Sequence, residues 1–338
     1  IRQITYRTES AGAMMADGFA RVSGRVGVVT AQNGPAATLL VPGMMEALTA
    51  SVPMLALVQE VPRDQHYKHA FQEVDHRALF HGAVKWFERV DRADRLEDYL
   101  DRAIAVATSG RAGPVALSLP PDLLAESTDL QPQRAAELGH FPLDRPVPER
   151  SKLLEVAEAL ANARNPLVVV GGAGHLSGAS EEIARLQEVF SLPVVTTMSG
   201  KGVVDESHPL SLGTAGGMSG RNGRCHYMQE IIDSADVVFL IGTRMGFSAT
   251  EAWRAYRSAE KLIHLDIDPV EIGLNYEAMR LVGGVKGTLN ALLSDIPAPN
   301  LEKRRTSRGR VEKDIADGLA KHRAATHDLT SGNLSPMR

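Results

Sequence analysis

Between Val26 and Gln59 the chain reads VGVVTAQNGPAATLLVPGMMEALTASVPMLALVQ. The run Val26–Thr30 is short, apolar and rich in β-branched residues, which predicts a buried parallel strand; Val52–Gln59 predicts a second one. Residues 36–50 between them predict a helix. We expect Pro42 either to bend this helix or to delay its start. Such a β-α-β unit pairs its strands in parallel through a right-handed crossover. The stretch therefore predicts an α/β fold.

A helix is predicted just upstream, and it places the carboxylate of Glu9 in a first helical turn. Thr8 or Ser10 can cap its start, and Gly24 suits its end. Apolar residues recur at helical spacing at Ala11, Met15, Phe19 and Val22. By helix rules alone, Glu9 would complement the helix dipole.

The rest of the chain continues the alternation of strands and helices, which is typical of doubly wound parallel sheets. Further strands are predicted at residues 113–120, 167–170, 193–196, 237–241 and 262–266, and helices at about 95–108, 152–163 and 181–190. We expect two Rossmann-like domains at 1–125 and 151–297, joined by a proline-rich linker at 126–150. Because the first domain opens with a helix, we expect it to lack its N-terminal part. Residues 298–338 are predicted to be basic and polar, then helical and then irregular, as a second linker toward a further domain.

Composition excludes several classes of protein. The length of 338 residues suggests about two domains, and a net charge of −4 argues against a nucleic-acid partner. No apolar run is long enough to span a membrane. The single Cys225 excludes an internal disulfide or a Cys-based zinc site and fits the cytoplasm. The histidines lack metal-ligand spacing, so no metal ligand is predicted within this chain.

Candidate binding residues lie where predicted strands end, since open α/β sheets bind ligands at that edge. Asn33, Gly34 and Pro35 form a turn into a helix, where backbone N–H groups can hold a negative or polarised oxygen; an ordinary tight turn fits equally well. In the second domain, Gly171, Gly172 and Gly174 could hold a diphosphate, although they do not match Gly-x-Gly-x-x-Gly. Arg244 and Asp266 follow neighbouring strands and would lie at the same edge.

Several motifs occur in a fixed order. They are Glu9 with ADGFAR at 16–21, NGPAAT at 33–38, AFQE at 70–73, GKG at 200–202 and IHLDIDP at 263–269. Together they resemble the thiamine-diphosphate enzymes of the acetolactate synthase (acetohydroxyacid synthase) type, over residues 5 to about 290. The resemblance implies an enzyme, a transferase or lyase, that decarboxylates a 2-keto acid and attaches the remaining carbon unit to a second carbonyl.

The resemblance also implies roles for individual residues. In this family the glutamate matched by Glu9 hydrogen-bonds the cofactor's aminopyrimidine ring and promotes proton loss from the thiazolium carbon. Asn33, Gly34, Pro35 and Thr38 match the turn beside the reacting carbon, whereas Phe71, Gln72 and Lys85 match positions near the substrate channel. A central domain of this type often binds FAD, here through Gly171, Gly172, Gly174, Arg244 and Asp266. The family assembles as homodimers or homotetramers.

Departures from the family pattern leave alternatives open. Glu60 stands where the family usually has Gln, and Met245–Ser248 replace Phe-Asp-Asp-Arg. The Gly-Asp-Gly run that binds diphosphate and Mg²⁺ is absent, so the resemblance implies a further domain beyond Arg338 and no turnover by this chain alone. A relative of the sulfoacetaldehyde acetyltransferase or oxalyl-CoA decarboxylase type, or a non-catalytic nucleotide-binding module, would also fit.

Overall fold

The computed structural model describes residues 2–128, 139–216, 220, 223–295 and 297–327. The chain divides into two compact units, Ile1–Asp144 and Arg145–Arg338. The division falls inside the segment 126–150 that was predicted to be a linker, of which residues 129–138 lie outside the described residues. Each unit is a parallel sheet with helices, which confirms the predicted α/β class with two parallel-sheet domains.

The first unit has a four-stranded parallel sheet in the order β1-β2-β4-β3. Its strands are β1 (Gly27–Ala31), β2 (Met54–Gln59), β3 (Trp86–Arg89) and β4 (Pro114–Leu119). Its helices are α1 (Glu9–Ser23), α2 (Pro35–Ala50), α3 (His76–Phe80), α4 (Leu96–Thr108) and α5 (Pro121–Leu124). The strand β3 was missed because Trp-Phe-Glu-Arg is short and half charged, so it lacks the apolar run of a buried strand.

Helix α1 buries a different face from the one that its apolar spacing indicates. The buried residues are Gly12, Ala13, Ala16, Asp17 and Ala20, all small except Asp17. Met15, Phe19 and Val22 are exposed, Val22 by 87%. Small residues permit a close helix approach, and the crossing with α2 uses it: a Cβ on Gly43 would lie 2.4 Å from the Cβ of Ala13. Packing distance, rather than side-chain hydrophobicity, decided which face is buried.

Helix α2 begins at Pro35. Pro42 therefore does not delay the start of the helix, which was one of the two effects expected of it. Pro35 occupies the first helical position, where its missing N–H costs no hydrogen bond. The helix continues through Pro42 to Ala50. As a result, its first turn directly follows the turn at the end of β1.

The second unit has a six-stranded parallel sheet in the order β10-β9-β8-β5-β6-β7. Its strands are β5 (Pro166–Val170), β6 (Val194–Thr196), β7 (Ser211–Thr214), β8 (Val237–Ile241), β9 (Lys261–Asp266) and β10 (Met279–Val282). Its helices are α6 (Arg150–Asn162), α7 (Ala173–Leu176), α8 (Ser180–Val189), α9 (Gln229–Asp233), α10 (Val285–Ser294) and α11 (Glu302–His327). The order matches the 3-2-1-4-5-6 arrangement of Rossmann folds. Its switch point therefore lies between β5 and β8.

The helical part that was predicted within the segment 298–338 is the 26-residue helix α11. The helix packs on its own unit: Arg304 is buried and its Nη2 donates to the Arg164 carbonyl at 3.1 Å. Gly318 lies against the backbone of Tyr227, where a Cβ would be 2.9 Å from the carbonyl oxygen. Residues 328–338 of the predicted linker lie outside the described part. No helix among the described residues has the length and apolar character needed to cross a membrane.

Candidate functional site

The turn after β1 lies at the carboxyl edge of the first sheet, as expected. Asn33 and Gly34 are buried, and Gly34 caps α2 with φ 63° and ψ −123°. This conformation is open to glycine and strained for residues with a Cβ. A Cβ at Gly34 would also lie 2.7 Å from the Cβ of Gln72. Glycine is thus required here both by its backbone angle and by the close approach of a second loop.

That second loop carries Phe71 and Gln72, and the structure brings both residues to the turn. The side-chain amide of Asn33 donates to the carbonyl of Phe71 at 3.0 Å and lies 3.4 Å from that of Gln72. The Phe71 side chain is 79% exposed. Asn33 therefore fixes the tip of this loop over the turn, while the ring of Phe71 faces outward.

Thr38, the last residue of the predicted turn motif, lies in the first turns of α2. Its hydroxyl donates to the Pro35 carbonyl at 2.6 Å, and its N–H donates to the Gly34 carbonyl at 3.1 Å. The hydroxyl is thus engaged within the helix, so Thr38 stabilises the start of α2 and the geometry of Gly34.

Glu9 reaches the same edge of the sheet because α1 begins there. Thr8 caps α1 by accepting a hydrogen bond from the Ala11 N–H, and Ser10 donates to the Leu39 carbonyl in α2 at 2.6 Å. The Glu9 side chain is half-buried and makes no hydrogen bond or ion pair with any other described residue. A half-buried carboxylate without a protein partner is free to accept a proton or hydrogen bond from a ligand.

Tyr6 was missed in the sequence and lies next to Glu9. Its hydroxyl donates to the Thr30 carbonyl at the end of β1, and its ring packs against Gly12. Burial and the charge of Glu9 together raise the pKa of Tyr6. The neutral Tyr6 thus links the start of α1 to β1, and no motif marks this contact in the sequence.

Lys85 is not brought to this group. It precedes β3, and its backbone N–H donates to the carbonyl of Pro114, the first residue of β4. Its Nζ donates to the carbonyls of Val106 and Ser109 at the end of α4. Because all four strands are parallel, Lys85 lies at the edge opposite to Gly34, and its place in a substrate channel stays a prediction.

In the second unit, the predicted nucleotide residues do meet at the switch point. The N–H of Gly171 donates to the carbonyl of Ile241 at 2.9 Å, which joins the loops after β5 and β8. However, a Cβ at Gly171 would lie 2.3 Å from the Gly242 carbonyl, and one at Gly174 would lie 2.8 Å from Val203. Gly171 and Gly174 therefore allow the surrounding chain to pack closely. Helix α7, which follows the first two glycines, has only four residues.

Arg244 and Asp266 also lie at this edge, on the loop after β8 and at the end of β9. Arg244 is exposed, whereas Asp266 is buried and its Oδ1 accepts from the N–H of Asp268 at 3.0 Å. A cavity of 520 Å³ in this unit is lined instead by residues such as Ala215, Phe247 and Tyr256. None of the five predicted nucleotide residues lines it. Among the described residues, no three His, Cys, Asp or Glu side chains come together as a metal site.

Comparison with known proteins identifies both units. A family model described as "Thiamine pyrophosphate enzyme, N-terminal TPP binding domain" matches residues 1–79. A second one, "Thiamine pyrophosphate enzyme, central domain", matches residues 153–292. The first match contains Glu9, the Gly34 turn and the Phe71–Gln72 loop, and the second contains the switch point of the six-stranded sheet.

Relatives that match most of this chain agree with the two family models. The chain is 36% identical over 308 residues to a probable acetolactate synthase large subunit of Methanocaldococcus jannaschii, covering 90% of this chain and 51% of the relative. It is 36% identical over 297 residues to an acetolactate synthase of Arthrospira platensis, covering 87% and 51%. It is 36% identical over 271 residues to chloroplastic acetolactate synthase 1 of Zea mays, covering 80% and 41%. The chain thus spans about half the length of these relatives, and it belongs to the thiamine pyrophosphate enzymes, carrying their N-terminal TPP binding domain and their central domain.

Proposed function

We propose that this chain is part of a thiamine-diphosphate-dependent carboligase or decarboxylase that acts on a 2-keto acid, as the acetolactate synthases do. The observation that carries the proposal is Glu9: its carboxylate lies at the carboxyl edge of the first sheet and makes no hydrogen bond or ion pair with another described residue. The similarity to acetolactate synthases supports the reaction class. None of the relatives named above supports the alternative substrates or a non-catalytic module.

The residues at this edge fit the pyrimidine end of the cofactor. When bound, thiamine diphosphate supplies a carbon nucleophile and takes up the electrons released on decarboxylation. Glu9 would hold a proton or hydrogen bond at the aminopyrimidine ring, and Gly34 lets backbone approach the ligand closely. Phe71 and Gln72 would present an apolar ring and an amide to the substrate. Tyr6 and Ser10 keep the start of α1, and therefore Glu9, against β1 and α2.

The diphosphate and Mg²⁺ belong to a separate part of this proposal. In the part of the chain that the structure describes, no three His, Cys, Asp or Glu side chains come together as a metal site. Because the chain spans about half the length of the acetolactate synthases it matches, we propose that a part of the protein outside residues 1–338 holds them and that residues 1–338 alone do not turn over substrate. Titrating thiamine diphosphate into residues 1–338 in a calorimeter, with and without Mg²⁺, tests where the diphosphate and Mg²⁺ are held. We expect the affinity for the cofactor to be the same in both titrations.

FAD binding by the second unit is likewise a proposal. Exposed Arg244 could meet a phosphate, but Gly171 and Gly174 close against neighbouring loops rather than forming an open cradle. The residues therefore fit a nucleotide only in part. Flavin fluorescence released on denaturing the purified protein decides the matter, and its absence removes FAD from the proposal.

An exposed apolar surface on the first unit supports a homodimer or homotetramer. Helices α1 and α2 expose large apolar side chains at Met14, Met15, Phe19, Val22, Leu39 and Met45. Met15, Phe19 and Val22 recur at helical spacing on α1, and large exposed apolar patches mark interaction sites. Sedimentation of the full-length protein tests the assembly, and a monomer at micromolar concentration would contradict it. A cytoplasmic location also stays a prediction.

The decisive test of the catalytic proposal is Glu9→Gln in the full-length protein. Amide for carboxylate keeps the size but removes the proton acceptor, so turnover should fall by ~10²-fold or more while thiamine diphosphate still binds. Glu97→Gln is the matched control, since Glu97 is also a half-buried glutamate in a first helical turn of the same unit. Equal activity of the Glu9→Gln and Glu97→Gln variants would refute the assignment.

A further inference from the structure

The loop that carries Phe71 and Gln72 starts and ends at a buried pair of polar side chains. Residues 61–75 form this β2–α3 loop, with Glu60 directly before it and His76 directly after it. Glu60 is 4% and His76 2% exposed, and Nδ1 of His76 lies 3.4 Å from Oε2 of Glu60. The pair therefore closes the base of the loop, as the close ends of an Ω-loop do.

The carboxylate of Glu60 is ionised in this position. Burial alone would raise its pKa, but the His76 ring at 3.4 Å and hydrogen bonds from the Ser118 hydroxyl and the Val61 N–H lower the pKa to about 2. Arg89 adds a guanidinium whose Nε lies 3.8 Å from the carboxylate. A charge is thus held below the protein surface at the carboxyl edge of the first sheet.

Stability alone does not account for this pair. Burying ionised groups costs desolvation, and apolar residues of similar volume are often equally or more stabilising. Here the pairing is also incomplete, because both ring nitrogens of His76 and Nε and Nη2 of Arg89 are buried without a hydrogen-bond partner among the described residues. The hydrogen bonds of Glu60 with Ser118 and Val61 and its 3.4 Å contact with His76 do, however, tie the two ends of the loop to β4 and to each other.

The loop above this base is internally locked, so its base determines where its tip lies. The Glu73 carboxylate accepts from the N–H of Tyr67 at 2.6 Å and of Ala70 at 3.1 Å. At the tip, Asn33 binds the carbonyl of Phe71. A tilt at the base would therefore move Phe71 and Gln72 together relative to Gly34.

We propose that Glu60 and His76 are positioning residues that set the orientation of the β2–α3 loop and thereby the place of Phe71 and Gln72 beside Gly34. The consequence for substrate rests on the function proposed above, in which Phe71 and Gln72 face the substrate. The consequence for the loop does not depend on that function.

The test replaces the pair by apolar residues of similar size, Glu60→Met with His76→Leu, in the full-length protein. We expect unchanged or higher resistance to urea, faster amide hydrogen exchange confined to residues 61–75, and ~10- to 100-fold lower kcat/KM for the keto acid. The matched control is Glu182→Met with Lys286→Leu, which removes another buried carboxylate paired to a cation at 3.5 Å, in the second unit. The control should leave the exchange of residues 61–75 as it is.

Two outcomes would overturn the proposal. Unchanged exchange in residues 61–75 of the apolar variant would show that the pair does not hold the loop. Faster exchange throughout the first unit, with lower resistance to urea, would show that the pair only stabilises the fold. If Glu9→Gln left activity intact, the catalytic proposal would fail, whereas the exchange measurement would still decide the role of Glu60 and His76.

Discussion

The crossing of α1 and α2 should be sensitive to a single methyl group at Gly43. In Gly43→Ala the new Cβ would lie 2.4 Å from the Cβ of Ala13 and 3.2 Å from its carbonyl carbon. Ordinary contact begins at 3.4 Å, so the helices must separate by about 1 Å. Ala13 is fully buried and its methyl group has no alternative rotamer, so the strain falls on the backbone.

The change in the free energy of unfolding follows from two opposing contributions. Alanine is favoured over glycine in a helix by about 1 kcal/mol, and overpacking of a buried contact costs about 1–3 kcal/mol. Gly18→Ala in α1 isolates the first contribution, because nothing lies within 4 Å of a Cβ at Gly18. The helix preference cancels between the two variants. Gly18→Ala should therefore be more stable than Gly43→Ala by about 1–3 kcal/mol.

Urea unfolding of both variants, followed by circular dichroism, measures this difference. We expect a higher midpoint for Gly18→Ala and a lower one for Gly43→Ala, with the same slope. In the full-length protein, turnover should fall in Gly43→Ala only, because displacing α1 displaces Glu9. Equal midpoints for the two variants would show that the helices are not in contact at Gly43 and would refute the reasoning.

Two further predictions concern buried groups in the second unit. Burial lowers the pKa of His264 from 6.5 to about 4, so the unfolded chain binds a proton that the folded chain does not. The free energy of unfolding should therefore be highest above pH 6.5 and fall toward pH 4, by on the order of 3 kcal/mol, and His264→Gln should lack this loss in acid titration. Burial also raises the pKa of Cys225 to about 12, so iodoacetamide should label Cys225 at pH 8 only after unfolding; rapid labelling of the native protein would contradict its burial.

The sequence predicted most of the fold because long apolar runs and turn residues are local signals. The strand β8 was predicted residue for residue and β1 within one residue at each end, and α1 has Thr8, one of its two predicted caps, at its start and Gly24 at its end. The short strands β3, β7 and β10 were missed, since each has four residues and lies at a sheet edge. An edge strand has one neighbour only, so it can be short and partly polar.

The grouping of the candidate site was likewise predictable in part. Parallel strands share a carboxyl edge, which brings the Gly34 turn together with residues that follow β2. The positions of Lys85 and of the buried face of α1 were not predictable in this way. Lys85 is close to Phe71 in sequence but lies at the opposite edge of the sheet. It directly precedes β3, whereas Gly34 follows β1, and the two strands run in the same direction.

By itself, the sequence determined the α/β class, the parallel pairing and the family, because these follow from local periodicity and from motifs in order. Only the tertiary structure decided that α1 buries its small residues, that Asn33 holds the Phe71–Gln72 loop, and that Glu60 pairs with His76. These contacts join residues far apart along the chain, and their distances depend on how closely backbones approach. Local sequence sets the shape of each element, whereas packing alone sets the separation between elements.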